Sequence, residues 1–201
     1  MKKTFGKIGL VLAVFSLWTV SAHAELKIGV IDLRKVFDNY YKTKQADSNL
    51  KDEAAELEKQ RKDMMEDFKK GEGEWKKLLD KANDQAVSTE ERNNSKKAAE
   101  KKLLELKEQE QTVAQFERSS RAKLGEKQRR KRDAILQEIR DVVNARSKSG
   151  GFTLVMDSAA SSLNDTPMVL FTNGENDLTD AVLKQMNDSA PPVLKATEPA
   201  K

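Results

Sequence analysis

The residues best suited to chemistry in this chain are three serines, Ser158, Ser161 and Ser162, and they have no base to work with. There is no cysteine, and the single histidine, His23, falls inside a segment read below as a removable leader. A mature chain without either residue type has no usual zinc site, no Ser/His/Asp or Cys/His nucleophile and no imidazole acid–base group. Carboxylates are plentiful, but they are spread over solvated helix faces. The chemistry on offer is binding rather than catalysis: the expectation is a protein that is not an enzyme and takes no cofactor and no metal.

One run of residues has binding character by charge. Residues 117–133 carry Arg118, Arg121, Lys123, Lys127, Arg129, Arg130, Lys131 and Arg132 against Glu117, Glu126 and Asp133, a local excess of five positives. Two readings stand. The run pairs across to Asp47, Asp52, Glu53, Glu56 and Glu58 on a neighbouring helix, or it attracts an anionic partner through Arg129, Arg130, Lys131 and Arg132. Nucleic acid fits poorly, because no aromatic residues interleave the basic ones and export separates the protein from most nucleic acid.

Two long helices must position that run. Residues 42–149 contain no proline, and their apolar residues return at spacings of three and four. Leu50, Leu57, Met64, Gly71 and Leu78 recur every seven residues, with Ala54, Arg61, Phe68, Trp75 and Ala82 four residues after each. These are the alternating positions of a heptad seam, with Arg61 and Gly71 its two weak places. Ser88 followed by Glu91 offers a capping box and a reversal near Val87. A second stripe then runs through Ala99, Leu103, Leu106, Val113, Leu124, Ile135, Ile139 and Val142. Pairs such as Glu58/Lys62, Glu66/Lys70, Glu117/Arg121 and Glu126/Arg130 sit at the favourable i, i+4 spacing. The reading is an antiparallel coiled-coil hairpin, its outward helix on the order of 65 to 70 Å long at roughly 1.5 Å per residue. Gly71 and Gly73 weaken that helix by roughly 1 kcal/mol each. They are either a tolerated kink or a hinge.

Composition agrees with an extended shape. The 201 residues are 37% hydrophobic and 35% charged, with a mean hydropathy of −0.73, too lean for one large core. Residues 1–24 read as a signal peptide: Lys2 and Lys3, an apolar run from Ile8 to Val20, then Ala22-His23-Ala24 as the cleavage site. The apolar run is too short to span a bilayer, although an uncleaved anchor is the alternative. Removing Lys2, Lys3 and Lys7 from 37 basic residues, against 33 acidic, leaves the mature chain near +1 rather than +4. An exported chain without cysteine must be held together by helix packing and oligomer contacts.

The two ends carry strand patterns. Residues 26–32 alternate Ile28 and Val30 to one face, and Asp32 is placed to cap a short helix. After Gly150-Gly151, suited to a helix C-cap, Phe152 to Asp157 read as strand two. Met168-Val169-Leu170-Phe171 reads as strand three, an unbroken apolar run that suggests burial on both faces. Asp177 to Asp180 then start a last short helix, and residues 190–201 read as a disordered tail. Residues 25–41 and 150–189 together form a discontinuous β body with the arm of residues 42–149 inserted in it. So small a body buries little surface alone, and self-association is the expected cover for its edges.

Ile28-Gly29-Val30-Ile31-Asp32 with Lys35-Val36-Phe37, and Gly151 to Asp157 followed by Thr166 to Phe171 and Asp177-Leu178-Thr179, resemble the Skp/OmpH-like family of periplasmic chaperones. The resemblance implies an α+β fold in which three chains share a barrel-like body and extend helical arms, jellyfish-like, around a cavity. It implies a homotrimer with Ile28, Val30, Phe152, Leu154, Val169 and Phe171 in the oligomerisation body. It implies ATP-independent holding of unfolded outer-membrane proteins in the periplasm. For such a holdase the weakly apolar arm residues Met65, Phe68, Trp75 and Leu79 are the client-contact candidates, Met65 and Leu79 foremost because they lie off the seam positions. No residue-by-residue match to a lipopolysaccharide site is found, so lipopolysaccharide or anionic lipid stays an alternative partner for the basic run. A structural spacer that touches the envelope is the alternative function.

Overall fold

The computed structural model describes residues 26–191. The signal peptide expected at residues 1–24, and all but the first two residues of the expected tail, lie outside the described residues. Six elements follow in order: β1 (Ile28–Ile31), α1 (Leu33–Asn39), α2 (Tyr41–Asn83), α3 (Thr89–Ser149), β2 (Leu154–Asp157) and α4 (Thr179–Asn187).

α1 and α3 begin where a capping side chain satisfies an orphan backbone amide, and α3 ends where backbone amides satisfy its last carbonyls. Asp32 accepts a bond from the Lys35 amide at 2.7 Å and starts α1. Ser88 accepts from the Glu91 amide at 3.2 Å and starts α3. The expected capping box is only half made, because the Glu91 carboxylate turns away to meet Lys81 of α2 across the tip. At the far end of α3 the Phe152 amide bonds the Ser147 carbonyl and the Gly151 amide bonds that of Lys148. This is a Schellman ending, and Gly151 takes the left-handed conformation it requires, with φ of 69°.

The long helices pack antiparallel with the expected register. Gly71 faces Leu106, Glu74 meets Lys102 at 2.6 Å, Arg61 meets Glu117 at 3.6 Å, and Glu53 meets Lys123 at 3.3 Å. At about 1.5 Å per residue, the 43 residues of α2 make an arm of roughly 65 Å. Of the four intrahelical pairs expected, Glu66 with Lys70 and Glu126 with Arg130 form. Glu58 and Glu117 are drawn instead to Arg61.

β1 and β2 pair in parallel, Ile28 opposite Leu154 and Ile31 opposite Asp157, so the whole hairpin is the crossover between them. The other edge of β1 is taken by residues 176–178: the Val30 amide donates to the Asn176 carbonyl and the Leu178 amide to the Val30 carbonyl. That corrects the expectation for Met168-Val169-Leu170-Phe171, which is neither a strand nor doubly buried. Next to a single antiparallel bridge between Ser161 and Pro167, the Met168 amide donates to the Ala160 carbonyl at 2.9 Å, and no strand forms over the run. Leu170 is 83% and Phe171 84% exposed. An apolar run signals burial only if a core has room for it, and here both edges of β1 are already occupied. A second correction concerns β1. Ile28 and Val30 do not share one buried face, since Val30 and Ile31 are buried while Ile28 is exposed.

The core lies at the root of the hairpin. Ile31 of β1, Val36 of α1, Tyr40, Ile135 and Ile139 of α3, and Val182 and Met186 of α4 form one buried cluster. The return helix therefore runs into the body and supplies its centre. Side-chain bonds tie α4 to both ends of α1: Thr179 accepts from the Asp32 amide at 2.8 Å, and the Asn187 side-chain amide donates to the Asn39 carbonyl at 3.2 Å. Ala190, read as the first residue of the tail, is buried and bonded back to the Asn187 carbonyl.

Candidate functional site

The seam of the arm alternates apolar and polar steps, and this sets what each arm residue can do. Met65, Phe68, Trp75 and Leu79 are all half-buried along α2. Each leaves part of its side chain on the surface after the hairpin has closed. Gly71, in their midst, is buried, and a Cβ placed there would come within 2.9 Å of Leu106 Cδ2. Gly71 is thus a notch that lets α3 approach, whereas Gly73 faces open space. α2 passes both glycines as unbroken helix.

Across from them, α3 shows two residues that periodicity misassigned or missed. Leu103 was expected in the buried stripe but is exposed, and Leu104 is 62% exposed. Lys102 takes the seam position, because its long stem lies along the interface while its amine reaches Glu74 at 2.6 Å. That same pair sets Leu103 and Leu104 at the level of Trp75. The run Leu103-Leu104 was the available signal, since a helix cannot turn two adjacent leucines onto one narrow seam.

The basic run divides by direction. Arg129, Arg130, Lys131 and Arg132 are consecutive, so helical geometry fans them round α3 and they do not form one patch. Arg130 pairs with Glu126 of its own helix. Lys131 borders a groove with Lys42 and Lys127, while Arg132 borders a different one with Leu33, Arg34 and Phe37. Of the five acidic residues expected opposite the run, Glu53 is the one that receives cross-helix pairs, from Lys127 and Lys123. Hydrogen bonds from those two lysines hold its carboxyl below the usual range.

Among the six body residues, Ile28, Leu154 and Phe171 are exposed and Val169 is half-buried. Ile28 and Leu154 are register partners and present one apolar step of the sheet. Val30 and Phe152 are used inside the chain. A Cβ on Gly29 would meet the Phe152 ring at 3.0 Å and one on Gly150 at 2.7 Å, while Lys27 lies 4.4 Å over its face. The serines considered first turn out to build a loop, for the Ser162 hydroxyl accepts bonds from the Asn164 and Thr166 amides.

A polar cluster fixes the arm at its root. The Tyr40 hydroxyl donates to Glu138 Oε2 at 2.8 Å, and Lys42 Nζ donates to both carboxylate oxygens at 3.0 and 2.8 Å. Burial alone would raise the Glu138 carboxyl, but the bonds from Lys42 and Tyr40 outweigh it and hold the group below its ordinary 4.5. Burial, helped by the bond to Glu138, pushes the Tyr40 phenol up to about 12, and the same carboxylate raises Lys42. The depressed carboxyl contributes stability above pH 4.5 that is lost as pH falls through its folded value. The raised phenol and amine contribute below 10.0 and 10.5, and that is lost as pH rises through theirs. Lys42 and Glu138 are each 42% exposed, so Glu138→Gln should cost only about 1 kcal/mol near neutrality. Its thermal midpoint should also respond less to acid than the parent's. Melts followed between pH 3 and 8 by circular dichroism check both.

The described residues thus define a class: a small α/β body from which one chain sends out and takes back a long antiparallel helical arm. The chain matches the family model described as Outer membrane protein (OmpH-like) over residues 27–186, and it belongs to that family. Members of this family are periplasmic chaperones of the Skp/OmpH type rather than enzymes. No curated protein matches the chain. Among the described residues no helix is long and apolar enough to cross a membrane.

Proposed function

We propose that this chain is an ATP-independent holdase that keeps unfolded outer-membrane proteins from aggregating, in a cavity between the arms of a homotrimer. The observation that carries the reading is the state of Met65, Phe68, Trp75 and Leu79. They are half-buried on an arm whose seam has already formed, so they offer dispersed apolar contacts without a fixed pocket. Such a surface suits a client with no structure of its own. Trimerisation is supported by Leu163, Met168, Leu170 and Phe171, apolar and exposed on a body whose core is filled by other residues. Leu103 and Leu104 add apolar area at the level of Trp75. Export to the periplasm with cleavage after Ala24 completes the proposal.

Trp75 would be the only tryptophan of the mature chain, the other being Trp18, which makes binding directly visible. Diluting a urea-unfolded barrel protein into the mature protein, at near one trimer per client, should suppress light scattering and shift Trp75 emission to the blue. Folded barrel protein should leave the emission unchanged. Undiminished scattering at excess chaperone would reject the holdase. Salt-sensitive binding to anionic vesicles, lost when Arg129, Arg130, Lys131 and Arg132 are neutralised, would favour the envelope-spacer alternative.

A further inference from the structure

Thr172-Asn173-Gly174 lies between the exposed apolar run and α4. Of the asparagines in the sequence, Asn173 alone is followed by glycine. Residues 170–175 are all exposed. Asparagine is a thermolabile residue, because the backbone nitrogen of the next residue can attack its side-chain carbonyl. Glycine in that next position removes the Cβ that would crowd the attack.

The other asparagines are held away from this reaction. Seven lie within helices, whose regular backbone keeps the following nitrogen clear of the side-chain carbonyl. Asn164 precedes Asp165, whose amide is tied to the Ser162 carbonyl at 3.0 Å, and Asn176 precedes Asp177, whose amide is tied to the Gly174 carbonyl at 3.3 Å. Gly174 is different. Among the described residues its amide meets no main-chain carbonyl and donates to the Thr172 hydroxyl at 3.1 Å, a bond that a side-chain rotation releases. The Asn173 side-chain carbonyl accepts from the Glu175 amide at 3.1 Å, which draws electrons from the carbon under attack.

We infer that Asn173-Gly174 is a site of spontaneous covalent modification, and that the modification slackens the segment 176–178 that covers the outer edge of β1. The Gly174 nitrogen bonds to Asn173 Cγ, the Cγ–Nδ2 bond breaks, and ammonia leaves with the proton of that nitrogen. Water then opens the succinimide ring. Opening at Cγ leaves aspartate, whereas opening at the backbone carbonyl leaves isoaspartate, which routes the main chain through Cβ and lengthens it. The added carbon enters just before residues that must keep their register. The Asn176 carbonyl accepts from the Val30 amide at 3.0 Å, and the Leu178 amide donates to the Val30 carbonyl at 2.9 Å. A shifted Gly174 also loses the Asp177 amide that closes the turn. The result is a freed strand edge on β1. The reaction needs no partner but water, and it does not depend on what the arm holds.

Mature protein aged in mildly alkaline buffer should gain about 1 Da on the peptide that holds Asn173 and Gly174. The same peptide should become a methyl acceptor for a protein isoaspartyl methyltransferase. Asn173→Gln should abolish both signals, because the larger ring it would need closes far more slowly. The isoaspartyl fraction, separated by its added charge, should exchange the Val30 and Leu178 amides about tenfold faster than fresh protein. Freshly prepared Asn173→Asp carries the charge without the added carbon and should exchange like the parent. Deamidation at another asparagine before Asn173 would overturn the site. So would an Asn173 still intact when an unfolded peptide of residues 168–178 has converted. Unchanged exchange at Val30 and Leu178 in the isoaspartyl fraction would overturn the slackening.

Discussion

Ile139→Ala is expected to lower the stability of the body by about 2 to 5 kcal/mol, the range for removing a fully buried isoleucine side chain to its Cβ. Ile139 has no exposed surface, and it shares a cluster of only seven buried residues with β1, α1 and α4. Set against a typical total of about 5 to 15 kcal/mol, the loss is large. It should also be selective, because Ile139 is where the return helix joins the body. Leu104→Ala removes a similar volume from the same helix at a 62% exposed position, and should shift stability by less than about 0.5 kcal/mol. Urea titrations of the two variants, followed by near-ultraviolet circular dichroism of the Tyr40 and Tyr41 pair, read the difference. Equal midpoints would mean that the body does not hang on this cluster.

How much of this was legible beforehand follows from the range of the interactions concerned. The hairpin, its register and its ends could be read because they depend on local rules: a seven-residue repeat, a serine before α3, two glycines after it. The choice between Lys102 and Leu103 for the seam could not, since it turns on a salt bridge to Glu74 from another helix. Glu91 was read as a cap by its spacing, but Lys81 competes for it across the tip. The four consecutive basic residues looked like a patch in one dimension and fan apart in three. Ile28 was placed on one face with Val30 by alternation, yet Val30 is buried and Ile28 is exposed. The apolar run at Met168 to Phe171 was the largest misreading. Its pattern is that of a buried strand, but among the described residues both edges of β1 are already taken.

That run also supports the second large effect. Replacing Leu170 and Phe171 together by glutamate should leave a single chain's fold intact, because both side chains are more than four-fifths exposed and make no part of the core cluster. In a homotrimer that covers them, the substitution should be drastic. Burying one such side chain is worth about 1.5 to 3 kcal/mol, and each glutamate adds the cost of desolvating a charge. Counted over three protomers this amounts to about 9 kcal/mol or more, enough to move association by over about a thousandfold. Sedimentation velocity should show a monomer with parental helix content at concentrations where the parent is a trimer. Aggregation suppression should disappear with the trimer, since separated arms enclose no cavity. A variant that sediments like the parent would place the assembly surface elsewhere. A monomer that still protects an unfolded barrel protein would show that the arm surface around Trp75 suffices without enclosure.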